Sequence, residues 1–392
     1  MLAFLEIATF LLIFSSLVYF LAKLIKTYNV NLVLVNLLVS IKFLSLITIF
    51  IYGKLGYAVD AKSIYDVSTI FFEQVYKDFG YRNLIGSDFV SLVISPITNY
   101  GKLRYFNTNF LFMLIGLYST ILYYLVLKKY SKSDYCNFLV VIIIFYPTLN
   151  LYTSYITKDL IIFSVISYLL FIINFENRNN YFNLKLISVL CIMLLVRPYT
   201  FIAFSFSIMV IYFLFYKFKT FKNIYSFVVS ILLISLIFFF IFQKIYDQVF
   251  ISEKNFLIEF YNYFNERSKL TNIGDAQINL YNYNLPLKIY NIIFGPSNIN
   301  LSFSGLIYLI DKTFLIFLLM HILFVKIKLN KFSNKNIDLI EYSLLLFSII
   351  MCLIISLSIS NYGIALRLKL MFLPIFFYFI IKNLAPIKLS LK

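Results

Sequence analysis

Tryptophan is missing from the 392-residue chain, and histidine occurs once, as His321. Three cysteines, Cys136, Cys191 and Cys352, all lie within apolar runs. This set argues against a zinc site, a histidine-based catalytic triad or a disulfide framework. The ten glycines form no phosphate-binding or dinucleotide-binding motif, so ATP- or NAD-driven chemistry is not expected. The sequence therefore predicts neither a metal nor a cofactor.

Acidic residues are also scarce, 17 against 34 basic residues, which gives a formal net charge of +17. Hydrophobic residues make up 62% of the chain, against about 45–50% in a soluble domain. The lysines form short clusters between apolar runs, which is typical of membrane topology, so no nucleic-acid partner is expected. The chain is predicted to be an all-α integral membrane protein that forms a single polytopic domain over 1–392.

Apolar runs long enough to cross a bilayer, about 17–25 residues each, recur along the chain. We predict eleven membrane-spanning helices, at approximately 4–25, 30–52, 108–127, 135–151, 156–174, 183–196, 199–216, 224–243, 313–329, 338–360 and 366–382. Two long segments, about 53–107 and 244–312, interrupt this helical bundle.

Basic residues are divided unevenly between alternate loops. One set of loops contains clusters that begin near Lys128, Lys217 and Lys326. The short loops of the other set contain only Lys158, Arg197, Arg367 and Lys369. Because positive loops stay in the cytoplasm, we predict an external N-terminus, a cytoplasmic C-terminus and two external long segments.

Two stretches place charge within or beside apolar runs, YTSYITKDLIIF (Tyr152–Phe163) and LLVRPYTF (Leu194–Phe201). Ionisable groups at membrane depth are costly and usually functional. On the predicted topology Lys158, Asp159 and Arg197 lie on the same external side, where we expect them to form the floor of a polar site. Lys158 would hold a phosphate or pyrophosphate, and Asp159 would orient a base or a sugar hydroxyl.

Ser154 precedes Lys158 by four residues, a spacing that predicts one shared helix face. The simpler interpretation of the Lys158–Asp159 pair is a helix cap, because a carboxylate suits the start of a helix.

Arg197 precedes Pro198 and is expected at a helix N-terminus, where guanidinium, free N–H groups and dipole would bind an anion. The preceding span, 183–196, is shorter than the bilayer core, which favours a turn below the outer surface and an outward-open cavity. An arginine that snorkels to the interface is the alternative. Arg367 and Lys369 form a third cluster, for which interfacial anchoring is also open.

The order of these motifs resembles that of the bacterial oligosaccharide repeat-unit polymerases of O-antigen and capsule synthesis, over roughly 55–375. The positions that carry the resemblance are Asp60, Ala61, Tyr65, Pro147, Ser154, Lys158, Asp159, Arg197, Pro198, Tyr199, Arg267, Gly274, Asp275, Gly295, Pro296, Asn361, Gly363 and Arg367.

This resemblance implies the many-span architecture of lipid-donor glycosyltransferases, in the bacterial inner membrane. A polyprenyl-pyrophosphate-linked oligosaccharide would be both donor and acceptor, with membrane lipid and a chain-length regulator as further candidate partners. The implied catalytic residues are Asp60, as base, and Asp159. Lys158, Arg197 and Arg367 would bind pyrophosphate, and the implied substrate-binding residues are Ser154, Tyr199, Arg267 and Asp275.

Two other functions remain open at this point. A transferase that uses a polyprenyl-phosphate-linked monosaccharide would add one sugar rather than a ladder of repeats. A flippase for lipid-linked oligosaccharide usually shows internal repeats, and none is evident here. O-antigen ligases share the architecture but use a histidine near the outer face, which this sequence lacks.

Overall fold

The computed structural model of the protein describes residues 2–54, 60–70, 85–131, 133–176, 180–216, 266, 283–295, 303–329 and 339–384. These ranges contain helices joined by short connections and no strand. The first helices are α1 (Leu2–Tyr28), α2 (Leu32–Lys54), α3 (Asp60–Ile70), α4 (Ser87–Ser95), α5 (Tyr105–Tyr130), α6 (Asp134–Ile144), α7 (Pro147–Tyr152), α8 (Lys158–Phe175), α9 (Asn180–Val196) and α10 (Pro198–Tyr216). They are followed by α11 (Leu285–Phe294), α12 (Phe303–Leu329), α13 (Leu339–Ser358), α14 (Tyr362–Leu368) and α15 (Leu373–Leu384).

Among the described residues, 6 helices are long and apolar enough to cross a membrane. Their candidate spans are Phe4–Tyr28, Leu32–Gly53, Tyr105–Tyr130, Lys158–Phe175, Gly305–Leu323 and Leu339–Ser358. The pair Gly363–Met371 and Leu373–Leu384, bent by 48°, would make a seventh span. The protein is therefore a multi-pass helical membrane protein.

Several predicted spans are confirmed as helices of spanning length, namely 4–25, 30–52, 108–127, 156–174 and 338–360. The prediction of one continuous helix over 135–151 is wrong, because the chain breaks into α6 and α7. Pro147 explains the break: it has no N–H to continue α6 and a φ that suits the first position of α7.

The remaining predicted spans differ more from the observed helices, or lie outside the described residues. The span predicted at 313–329 begins earlier, at Phe303, so part of the segment predicted as external belongs to α12. The predicted spans 183–196 and 199–216 are helical, but their apolar parts, Leu184–Val196 and Pro198–Tyr212, fall short of spanning length. The predicted span 224–243 lies outside the described residues.

The described residues belong to two compact units, each with its own set of segments. Unit 1 comprises Met1–Pro198, Phe317–Ser333 and Phe377–Lys392. Unit 2 comprises Tyr199–Ile316 and Asn334–Phe376.

In unit 1, α5 is the central helix and packs against α1, α2, α6 and α8. Helix α8 also packs against α9, and α3 packs against α4. In unit 2, α11 packs against α13 and α14. The Phe204 ring meets the Phe347 ring edge-on at 5.5 Å between centroids, within the core of that unit.

Candidate functional site

The site in unit 1 is positioned by α5 and α8, which run side by side. The backbone N–H of Ile156 donates to Asn109 Oδ1 at 2.9 Å, just before α8 begins. At the other end, Tyr130 OH donates to Asn174 Oδ1 at 2.5 Å. The two helices therefore end level with each other, but α8 begins beside the second turn of α5.

A buried turn, defined here as 153–157, connects α7 to α8. Its last residue, Thr157, caps α8 by accepting a hydrogen bond from the Leu160 N–H at 2.9 Å. Its first residue, Thr153, approaches α5 so closely that a Cβ on Gly116 would lie 1.8 Å from the Thr153 carbonyl oxygen. The absence of a side chain at Gly116 thus allows the turn to pack against α5.

The depth of the turn follows from helix geometry. At about 1.5 Å per residue, the 26-residue helix α5 is about 39 Å long, against a hydrocarbon core of about 30 Å. Gly116, and with it Thr153, lies about 16 Å along α5 from its start. Non-helical backbone at that depth must be enclosed by protein or line a water-filled cavity, and all five residues of 153–157 are buried.

Ser154 lies within this turn rather than on a helix. The predicted helix face shared by Ser154 and Lys158 is therefore wrong, since α8 begins only at Lys158. The Ser154 hydroxyl donates to the Asn150 carbonyl oxygen, and the side chain is fully buried.

A buried ion pair joins the beginning of α8 to the connection between α9 and α10. Arg197 Nη2 donates to Asp159 Oδ1, and both side chains are buried. Asp159 occupies the first turn of α8, where a carboxylate is favoured by the helix dipole. Removal of one partner from a buried ion pair costs about 3–5 kcal/mol.

Lys158 lies next to this pair and is half-buried. Its Nζ donates to Ser87 Oγ at 3.0 Å, and Ser87 is the first residue of α4. We call Ser87, Lys158, Asp159 and Arg197 the cationic site, after its lysine and its arginine. The charged N–H donors of these two side chains make the site suited to an anion.

Helix α4 is also attached to α9 beside the cationic site. The Gly86 N–H donates to the Leu195 carbonyl oxygen at 2.8 Å. Gly86 has a φ of +79°, a conformation that glycine adopts without strain. The sequence motifs did not include Gly86 or Ser87, since the only signal was a short Gly-Ser-Asp sequence in a long polar segment.

Helix α3 packs against α4 and carries three predicted positions, Asp60, Ala61 and Tyr65. Ser91 Oγ donates to the Ile64 carbonyl oxygen at 3.0 Å, and Tyr65 OH donates to the Leu103 carbonyl oxygen at 2.9 Å. Burial, together with the nearby carboxylate of Asp66, raises the pKa of Tyr65, which keeps this phenol protonated. Asp60 begins α3, but its side chain lies outside what the structure describes.

Lys42 is a charged residue that the sequence motifs did not include. It lies near the middle of α2, is fully buried, and donates from Nζ to Thr153 Oγ1. The one available signal was a lone lysine inside the apolar run LLVSIKFLSL, which the cost of charge at membrane depth marks as unusual.

Unit 2 contains two further predicted site residues. Tyr199 OH contacts Met371 Sδ at 3.8 Å, and its side chain is half-buried. Arg367 lies in the last turn of α14 and is also half-buried.

Lys369, for which interfacial anchoring was one of two interpretations, is fully buried in unit 2. Its Nζ pairs with Asp311 Oδ2 at 2.6 Å and lies 5.5 Å from the centre of the Tyr308 ring. The interfacial interpretation fails for Lys369 because its charge is neutralised by Asp311 of α12, a residue that the sequence motifs did not include.

The last two predicted substrate-binding residues, Arg267 and Asp275, lie outside the described residues. Within the described ranges, no group of three or more His, Cys, Asp or Glu side chains could hold a metal ion. Comparison of the chain with protein families, characterised proteins and solved structures finds no match.

Proposed function

We propose that the protein polymerises polyprenyl-pyrophosphate-linked oligosaccharide repeat units into O-antigen or capsular polysaccharide on the outer face of the bacterial inner membrane. The observation that carries this proposal is the buried Arg197–Asp159 ion pair beside Lys158, at the start of α8, which lies beside the second turn of α5. Such a site suits a charged group attached to a lipid that remains in the bilayer.

The proposal includes a topology of about eleven membrane-crossing segments, of which 135–151 is broken into α6 and α7, with an external N-terminus and a cytoplasmic C-terminus. The two segments 53–107 and 244–312 would then be largely periplasmic. Helices α3 and α4 belong to the first of these segments, and α4 reaches the cationic site through Ser87. This arrangement supports a site that is accessible from the periplasmic side.

In the proposed complex, Lys158 and Arg197 bind the pyrophosphate of the donor. Arg197 offers a planar set of donors that matches phosphate oxygens, and Lys158 contributes a point charge. Asp159 holds the guanidinium through Oδ1 and so orients it toward the pyrophosphate. The positive end of the α8 helix dipole adds to the positive potential.

The proposed reaction is a glycosyl transfer. A sugar hydroxyl of the acceptor attacks the anomeric carbon of the donor chain, and the bond from that carbon to the phosphate oxygen breaks. The polyprenyl pyrophosphate leaves with the electron pair, and Lys158 and Arg197 stabilise its developing negative charge. Asp60 accepts the proton of the attacking hydroxyl as general base.

The remaining predicted site residues have other proposed roles. Arg367, Tyr199, Arg267 and Asp275 are proposed to bind pyrophosphate or sugar. Ser154 is fully buried and bonded to Asn150, so we propose that it contributes by holding the turn rather than by direct contact with substrate.

The test is polymer synthesis by the purified full chain, reconstituted in vesicles with a lipid-linked repeat unit. We expect Arg197→Ala and Lys158→Ala to lower the rate by about 100-fold or more, because each removes a donor to the developing charge. Lys23→Ala, which changes an exposed lysine of α1, is the matched control and should give the wild-type ladder.

The products distinguish the alternatives. A ladder of repeats that is lost in both site variants supports the polymerase. Addition of one sugar only would identify a single-sugar transferase, and lipid-linked oligosaccharide that crosses the bilayer unchanged would identify a flippase. Wild-type ladders from Arg197→Ala and Lys158→Ala would overturn the proposed site.

A further inference from the structure

A fully buried lysine at the centre of a membrane-spanning helix needs a physical explanation. Lys42 lies near the middle of the candidate span Leu32–Gly53 and has no exposed surface. A charged side chain at this depth is expensive and tends to be retained only where it acts. Within the described part of the chain, no carboxylate forms an ion pair with Lys42, and its hydrogen bond goes to Thr153 Oγ1.

The acceptor of this hydrogen bond is itself fixed. Thr153 Oγ1 donates its own proton to the Leu149 carbonyl oxygen at 2.6 Å, which leaves its oxygen free to accept from Lys42. A short chain of two hydrogen bonds thus runs from Lys42 of α2 through Thr153 to Leu149 of α7. The bond joins Lys42 to the first residue of the turn 153–157.

The same turn is held at its other points by α5. Asn109 Oδ1 accepts from the Ile156 N–H, and Gly116 allows the close approach of Thr153. Lys158 and Asp159 follow the turn directly, so any displacement of Thr153 moves the residues that face the anion. Lys42 is therefore linked to the cationic site through Thr153, although it is not a member of that site.

We infer that Lys42 is a positioning residue: through Thr153 it fixes the turn that places Lys158 and Asp159 for binding of a lipid diphosphate. This inference rests on the proposed function, since it names that diphosphate as the ligand of the cationic site. It also explains why a charge is retained at a position where a methionine of similar length would fit the apolar surroundings better.

The experiment measures binding of farnesyl diphosphate and of farnesol to the purified full chain in lipid nanodiscs. Lys42→Met should lower the affinity for farnesyl diphosphate by about tenfold, as expected if the released turn occupies its binding-competent position about one tenth of the time. The affinity for farnesol should not change. The melting temperature should be equal or higher, because a buried cation has been replaced by an apolar side chain.

Variants at Thr153 provide a second, independent arm. Thr153→Val removes the acceptor at similar shape and should match Lys42→Met, whereas Thr153→Ser keeps the hydroxyl and should bind like the wild type. The double variant Lys42→Met/Thr153→Val should bind farnesyl diphosphate no more weakly than the weaker-binding single variant, because both substitutions remove the same interaction.

The outcomes separate failure of the inference from failure of the proposed function. If Arg197→Ala loses farnesyl diphosphate but Lys42→Met binds it like the wild type, the role of Lys42 is overturned alone. The role of Lys42 would also be overturned if Lys42→Met lost affinity equally for farnesyl diphosphate and farnesol, or if its melting temperature fell. Either result would indicate that Lys42 only stabilises the fold. Unchanged binding by Arg197→Ala would overturn the diphosphate site and the role of Lys42 with it.

Discussion

At the residue scale, four of the buried charged side chains form two ion pairs. Arg197 and Asp159 pair in unit 1, and Lys369 and Asp311 pair in unit 2. Taking two charges out of water costs about as much as their attraction returns, so such pairs contribute little net stability. Loss of one partner costs more, because the other buried charge then loses its ion pair.

The Lys369–Asp311 pair allows a clean test of this asymmetry. Lys369→Met alone should destabilise the protein by about 3–5 kcal/mol, because the buried carboxyl group of Asp311 then loses its ion pair with Lys369. The double variant Lys369→Met/Asp311→Leu should recover most of the loss. Both effects can be measured by denaturant unfolding in detergent micelles, followed by circular dichroism.

A double variant whose loss of stability equals the sum of the losses for Lys369→Met and Asp311→Leu would contradict this account of the pair. Lys23→Met, at an exposed position of α1, serves as the control for loss of a positive charge in general. Its free energy of unfolding should lie within about 0.5 kcal/mol of the wild type.

Some of the site was visible in the sequence and some was not. Lys158, Asp159 and Arg197 stood out because charge within apolar runs is rare, and the structure brings Asp159 and Arg197 into direct contact. Lys42 and Asp311 are equally unusual, because each is a charged residue within an apolar run. Their importance depends on partners from distant parts of the chain, Thr153 and Lys369, and spacing along one segment does not reveal such partners.

At the element scale, the interruption between α7 and α8 decides where the cationic site lies. A continuous pair of full-length spans would carry Lys158 and Asp159 to the level of Tyr105, where α5 begins. The turn instead brings them back beside the second turn of α5, through the contacts of Ile156 and Thr153. The depth of the site is therefore set by a turn rather than by a loop at the surface.

Gly116 is the residue of α5 on which this turn depends most. Gly116→Ala would place a Cβ 1.8 Å from the Thr153 carbonyl oxygen, so the backbone of the turn must move. We expect a destabilisation of about 1–3 kcal/mol, measured by denaturant unfolding, together with weaker binding of farnesyl diphosphate. A variant as stable as the wild type would show that the turn can relax without cost.

Gly363 of α14 is the matched control for Gly116. A Cβ at Gly363 would meet Asn361 Oδ1 at 3.4 Å, which is an ordinary contact. Gly363→Ala should therefore be neutral or stabilise the protein by up to about 1 kcal/mol, as alanine favours a helix over glycine.

Helix positions were largely predictable, and helix breaks were predictable only in part. Apolar runs of sufficient length predicted α1, α2, α5, α8 and α13. The break before Pro147 has a signal in the sequence, since proline cannot continue a helix. The break at Thr153 has none, because Ser154 and Lys158 have helical spacing and the turn is fixed by tertiary contact with Gly116.

At the scale of the whole molecule, the predicted topology follows from the uneven distribution of basic loops. The connections before and after α5 give a direct test, since Lys102 and Asp134 flank this helix and are both exposed. In a variant without native cysteines, Lys102→Cys should react with an impermeant maleimide from the periplasmic side. Asp134→Cys should react only after the inner membrane is permeabilised.

The reverse labelling pattern would invert the topology and place the cationic site on the cytoplasmic side. Labelling of both positions from one side would mean that α5 does not cross the bilayer. Retained polymer synthesis by both cysteine variants would show that they preserve the native fold.

Unit 1 is assembled from segments that lie far apart in the chain. Asn174 Nδ2 donates to Tyr378 OH at 3.3 Å, and Cys136 Sγ lies 3.9 Å from the Leu384 carbonyl oxygen. Ribosomes deliver the amino-terminal part of this unit first, and Tyr378 is made 204 residues after Asn174. The helices that enter the translocon earlier therefore remain partly exposed to lipid until α15 has been made.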